Sequence, residues 1–207
     1  MDPYLEFGLA MCAIVLLSLA GTAYLAATFN RRAKADLQAR LTPLAEVIDG
    51  EADIEEATVS GRYQGQLAYA RMVGAQGGMG RLFNVEIVDA AGGEPWEWSS
   101  LPEKNQPAPV RAFDGDPALE QRLGVDWPAL ATVVPDDARQ RFGFLYDPEA
   151  GMVRLSRAMD GRNDIPDPAA FTRQLDALLA LGEANRRAQA PPAAASGDPR
   201  QGDRDAI

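Results

Sequence analysis

From Phe7 to Asn30 the chain runs through FGLAMCAIVLLSLAGTAYLAATFN without one charged side chain. As an α-helix this stretch measures about 36 Å at 1.5 Å per residue, enough to cross a hydrocarbon layer of roughly 30 Å with some tilt. Lipid offers no partner for backbone N–H and C=O groups, so a crossing segment here has to be helical. Tyr4 at one end and Tyr24 with Phe29 near the other suit the interfacial preference of aromatic rings. Two other readings compete: a buried core helix, and a cleaved signal peptide with Gly21-Thr22-Ala23 as its small-residue site. The leader Met1-Asp2-Pro3-Tyr4-Leu5-Glu6 is acidic where a signal peptide is basic, and the apolar run is long. A retained membrane anchor is therefore expected, with the lipid bilayer as its first partner.

Charge on the two flanks sets an expected orientation. Residues 1–6 carry Asp2 and Glu6, whereas Arg31, Arg32, Lys34 and Arg40 follow the span against Asp36. The positive-inside rule then puts the N-terminus outside and the C-terminal body in the cytoplasm of a bacterial inner membrane. Inside the span Ala13, Ala20 and Ala27 recur every seven residues, with Gly21 beside them. Small residues on one face allow another membrane helix to approach closely, so these four are candidate contacts to other integral subunits. Cys12 within the apolar run is expected to act as a small hydrophobe.

Composition closes several classes of chemistry. The 207 residues include 20 basic and 30 acidic side chains, a net charge of −10, one cysteine and no histidine. Without imidazole there is no Ser-His-Asp or Cys-His nucleophile and no histidine-ligated metal. One thiol allows neither an intramolecular disulfide nor a cysteine cluster. Nucleic acid is not an expected partner for so acidic a chain, because its phosphates are met by Lys and Arg. Arginine outnumbers lysine heavily, which reads as the imprint of a GC-rich bacterial genome.

Beyond the span, residues 31–50 continue as a juxtamembrane helix with Leu37, Leu41, Leu44 and Ile48 on one side, interrupted or kinked at Pro43 and ended at Gly50. Residues 51–189 read as one α+β domain. Two β-hairpins are expected, 57–73 around Gln64-Gly65 and 141–157 around Asp147–Gly151, with a further strand over 82–88. The stretch 91–109, rich in proline and glycine, reads as loop. Short helices are expected at 117–123, capped by Asp116, and at 128–132. A long amphipathic C-terminal helix follows from Pro168 to about Gln189, with Phe171, Leu175, Leu178, Leu179 and Leu181 as its apolar face. Residues 190–207, rich in Pro and Ala, are too polar and small to build a core. The fold class is thus α+β: a single N-terminal transmembrane helix, then antiparallel hairpins with helices on one face.

Few residues point to chemistry. The glycine-rich Gly74–Gly80 leads into a strand and lacks a following Gly-Lys-Ser/Thr, so a hairpin connection is expected rather than a phosphate cradle. Asp114-Gly115-Asp116 and Asp160–Asp164 resemble calcium loops in part, without the full oxygen set, and read as a helix cap and a turn. Trp96 and Trp98, two residues apart in an extended segment, point the same way. They serve either as anchors for a partner or the headgroup layer, or as a lid folded onto the sheet. No spacing of carboxylates selects a catalytic pair. The expectation is a non-enzymatic, single-pass accessory subunit without cofactor or metal, stabilising or assembling a larger membrane complex. A respiratory or photosynthetic host comes first on general grounds alone. A membrane-tethered ligand-binding or sensor module is the alternative.

Overall fold

The computed structural model describes residues 3–74, 81–89, 92–102, 109–134, 142–159, 161 and 164–190. Most of the glycine-rich connection, part of the 160–164 turn and the tail from 191 onward lie outside the described residues. The chain begins with one helix, α1, Pro3–Val47, 45 residues long and so about 68 Å at full extension. Its N-terminal part is apolar and long enough to cross a membrane, and none of that window is buried against the rest of the chain. Its C-terminal part is the reverse: Leu41, Leu44 and Ile48 are fully buried.

The expected break at Pro43 is corrected. Pro43 lies inside the helix, although proline removes a backbone donor there. The buried leucines on either side fix both halves on the same core, so the helix continues through it. Gly50 closes the helix as expected, its amide donating to the Ala45 carbonyl at 2.9 Å. It also has a steric role, since a Cβ there would fall 2.1 Å from the Ser60 carbonyl oxygen and 2.7 Å from the Gly61 Cα. A Cβ at Gly61 would meet the Ile48 oxygen at 2.3 Å. These two glycines let the end of α1 cross directly over a strand.

That strand belongs to an eight-stranded, wholly antiparallel sheet: β1 Glu51–Asp53, β2 Thr58–Tyr63, β3 Gln66–Gly74, β4 Arg81–Val88, β5 Trp96–Pro102, β6 Pro109–Asp114, β7 Phe142–Asp147 and β8 Met152–Met159. The spatial order is β1-β2-β3-β4-β8-β7-β5-β6. Gln64 and Gly65 turn the β2–β3 hairpin with φ of 48° and 86°, as a two-residue turn with positive φ at both positions demands. Between β6 and β7 lie α2, Pro117–Leu123, and α3, Trp127–Ala131, capped by Asp116 and Asp126. The last element is α4, Pro168–Gln189, capped by Asp167, with Phe171, Leu175, Leu178 and Leu181 buried.

The loop expected over 91–109 is corrected: β5 runs through its middle and β6 begins at its last residue, the two strands pair with each other, and β5 also pairs with β7. Proline is tolerated because Pro102 and Pro109 face each other at the end of the ladder and β6 is an edge strand.

Helices cover one side of the sheet. On that side, aligned residues form rows: Val59, Ala70, Val85, Leu155, Phe144 and Trp98 in one, and Ala68, Ile87, Val153, Tyr146 and Trp96 in the next. Trp127 of α3 stacks on Trp98 with ring centroids 5.3 Å apart. Where α1 meets the sheet edge, Lys34 bonds Glu55 in the β1–β2 turn, and the Arg62 amide of β2 donates to the Ile48 carbonyl.

Candidate functional site

Two of the polar groups that the fold buries, Asp89 and Asn185, lie at the end of the sheet remote from the apolar half of α1. Asp89 follows β4 directly and is held by its own amide, which donates to the Gly151 carbonyl at 2.7 Å. Its side chain turns toward α4 and is 2 % exposed. Arg186 donates from Nη1 to Asp89 Oδ1 at 3.0 Å, whereas Oδ2 has no hydrogen-bond partner. A Cβ at residue 182 would sit 2.6 Å from that Oδ2. Gly182 is therefore what admits a carboxylate against the helix. Burial pushes the Asp89 carboxyl above its usual range, and the charge and hydrogen bond of Arg186 only partly oppose this.

Around Asp89 stand an aromatic pair and two amides. Trp96 donates from Nε1 to Asn185 Oδ1 at 2.8 Å, and Asn185, fully buried, leaves its Nδ2 without a partner. Tyr146 donates from its hydroxyl to the Gly92 carbonyl at 3.2 Å. Burial raises the Tyr146 phenol above its ordinary value, and the Asp89 charge adds to that. One turn further along α4, Gln189 clamps the 92–94 segment. Its Nε2 donates to the Glu94 carbonyl at 2.8 Å and its Oε1 accepts from the Glu94 amide at 3.1 Å. An open groove of about 1040 Å³ adjoins this clamp, lined by Gly93, Glu94, Arg122, Arg187 and Gln189 among others. Arg122 donates into it, from Nε to the Ala188 carbonyl at 3.1 Å. The cluster combines a buried acid, a phenol, carboxamides and guanidinium groups. That set can bind and orient a polar group; it contains no activated nucleophile.

A second buried charge system occupies the other face of the sheet. Glu86 on β4 is 2 % exposed and its Oε1 lies 2.7 Å from Arg71 Nη2 on β3 and 2.6 Å from Arg154 Nε on β8. A third cation, Arg157, is buried on the helix side, 5.8 Å above the Phe83 ring. Burial lowers its pKa against the opposing charge of Asp164.

The residues singled out from sequence fall into two groups. Ala13, Ala20, Gly21 and Ala27 all lie on the exposed apolar part of α1, and a Cβ at Gly21 would meet nothing within 4 Å. Trp96 and Trp98 do not protrude. They are 3 % and 2 % exposed, on β5, because both rings are packed among Phe113, Trp127, Phe142, Phe144 and Tyr146. The reading of them as surface anchors is corrected; they close the core. Asp114 ends β6 and Asp116 caps α2. Among the described residues no group of three acidic or thiol ligands converges as a metal site would require. Asp89, Asn185 and Glu86 were not anticipated. Asn185 carries a usable signal, since it continues the spacing of Leu178 and Leu181 on the apolar side of α4 while being polar.

No protein-family model matches the chain, and no curated protein or solved structure is similar enough to count as a match.

Proposed function

We propose that this protein is a non-catalytic, single-pass membrane subunit that holds its α+β body rigidly against the extrinsic parts of a larger membrane assembly. One observation carries the reading. The apolar stretch that touches nothing in its own chain and the buried stretch that anchors the body are a single uninterrupted helix. A tether meant only to retain a domain at the surface needs no such stiffness, whereas a subunit that presents a surface at a fixed height does. Burial begins at Leu37, about 10 Å of helix beyond Asn30, so the body stands next to the headgroups. The basic residues after the span favour a cytoplasmic body in a bacterial inner membrane. Ala13, Ala20, Gly21 and Ala27 supply the face on which a neighbouring membrane helix can close. An energy-transducing host, respiratory or photosynthetic, rests on general grounds only.

Solubilisation of native membranes in a mild detergent, pull-down and mass spectrometry test this. Stoichiometric co-purification of integral subunits is the expected result. Release of the intact chain by carbonate washing, or recovery without any other membrane protein, overturns it.

The buried Asp89–Asn185 cluster beside its groove favours a second reading, a tethered ligand-binding module. A small polar ligand seated there raises thermal stability, increasingly with the logarithm of its concentration above Kd. Screening polar metabolites against the full chain by thermal shift separates the two readings.

A further inference from the structure

We propose that the end of the sheet nearer the apolar half of α1 rests on the bilayer, and that its occupant is the anionic phospholipid headgroup layer of the membrane that α1 enters. The inference rests on the membrane reading of α1 and adds to it a second, peripheral contact made by the body. Two ties between α1 and the sheet order the sheet's ends. Lys34, one turn beyond Asn30, bonds Glu55 in the β1–β2 turn, whereas Ile48, just past the last turn of the helix, accepts from the Arg62 amide. The strand register carries this order across the sheet. Thr58 pairs with Arg71 and Arg71 with Asn84, and β3 and β4 both extend three residues past that row, to Gly74 and Arg81. That extension is about 10 Å of strand. Gly74 and Arg81 thus lie at the near end, and Glu97, Asp114 and Asp147 at the far one.

The near end offers what an anionic surface takes up. Val73 is 36 % exposed and, with Leu82 and Ala158 aligned beside it, makes a small apolar ledge on the uncovered face of the sheet. Arg81 is exposed next to it. On α1, Arg31 and Arg32 are exposed. At 3.6 residues per turn both are rotated more than about a quarter-turn from the stripe of Leu37, Leu41, Leu44 and Ile48 that holds the body. They directly follow the apolar run, where guanidinium groups reach phosphates while their stems stay on lipid.

Most acids described at this end are already engaged. Glu55 pairs with Lys34 and Asp36 with Arg40. One oxygen of Asp53 accepts the Glu55 and Glu56 amides, which leaves Glu56 as an exposed acid. The connecting stretches 75–80, 103–108 and 135–141 are each neutral in sum. The far end has the opposite character: Glu97 and Asp114 face each other across β5 and β6, an acidic pair that a negative headgroup layer repels. Arginines and an apolar ledge at one end, with that pair at the other, orient the body with its near end on anionic lipid.

The test uses the full chain carrying Cys12→Ala, reconstituted in vesicles of phosphatidylcholine alone or mixed equally with phosphatidylglycerol. Val73→Cys and, at the far end, Glu149→Cys each carry a fluorophore that a nitroxide on the lipid headgroup quenches on contact. The expected result is quenching at Val73→Cys that is stronger in the anionic vesicles and relieved by high salt, with Glu149→Cys unquenched in both. Arg31→Gln, Arg32→Gln and Arg81→Gln should each weaken docking about fivefold in the anionic vesicles, with an unchanged thermal melt. An unquenched Val73→Cys, equal quenching at both positions, or quenching indifferent to lipid charge and to all three substitutions would overturn the proposal while the chain still resists carbonate. A chain that carbonate strips from the vesicles overturns the membrane reading, and the proposal with it.

Discussion

The two faces of the sheet are built on opposite plans from the same strands. The helix-covered face is aromatic and aliphatic, and its most demanding contacts are steric: Trp98 against Trp127, and Gly61 under the end of α1. The other face is mixed, with a carboxylate held between two arginines at its centre and apolar side chains around it. What one face obtains from shape, the other has to obtain from charge pairing, and the two respond differently to substitution. The covered face should lose stability when volume changes. The uncovered face should tolerate volume changes and respond to charge.

Trp98→Ala gives the largest expected effect. It removes a ring in contact with Trp127, Phe142 and Phe144, and a buried Trp→Ala change costs about 3–5 kcal/mol. Urea unfolding of the detergent-solubilised chain measures it. If Trp98 were a surface anchor, the loss would be a few tenths. Next comes Gly61→Ala. The added methyl overlaps backbone at the α1 crossing, where side-chain repacking gives no relief, and a cost of about 1–3 kcal/mol is expected. Gly65→Ala in the adjacent turn tests a different mechanism, since space is open there and only the positive φ is strained.

On the uncovered face, Glu86→Gln should cost about 1–2 kcal/mol by weakening the two hydrogen bonds from Arg71 and the ion pair with Arg154. Because Arg71 and Arg154 remain partly exposed, 40 % and 22 %, water recovers part of the loss. Leu145→Ala on that face should change stability less than Phe144→Ala beside it on the covered one. A larger effect from Leu145 would mean that the face is covered by more than its own strands.

How much of this was legible beforehand depends on whether the signal is local. The span, the β2–β3 turn at Gln64-Gly65 and the Asp116 and Asp167 caps rest on a few consecutive residues, so they were readable. The β5–β6 pair was missed although Trp96-Glu97-Trp98 alternates, because the surrounding prolines argued for loop. Their harmless placement at a ladder end on an edge strand is a property of the whole sheet. Arg157 alternates in phase with Val153 and Leu155, yet nothing in a sequence says that an arginine will enter a core over a phenylalanine ring. Asp89 and Gly182 are far apart in the chain, and neither is informative without the other.

That pair supports the smallest prediction, and it distinguishes a strained acid from a merely structural one. Burial raises the Asp89 carboxyl in the folded chain, so the unfolded chain ionises it more readily, near pH 4. The sign follows from linkage: a raised folded pKa gives stability that is complete below the unfolded value and lost as pH rises through the folded one. Asp89→Asn removes the ionisation and keeps the shape. The melting temperature of the variant relative to the parent should therefore rise as pH climbs from about 4 through the raised carboxyl range, then level off once the folded-state acid has ionised. Arg186→Ala should widen the window upward, because it removes the cation that opposes the shift. A difference that does not vary with pH would mean that Asp89 is held as readily charged as any surface carboxylate. The end of the sheet remote from the span would then be a packed cap, and its unpartnered Oδ2 would carry no weight in the ligand-binding reading.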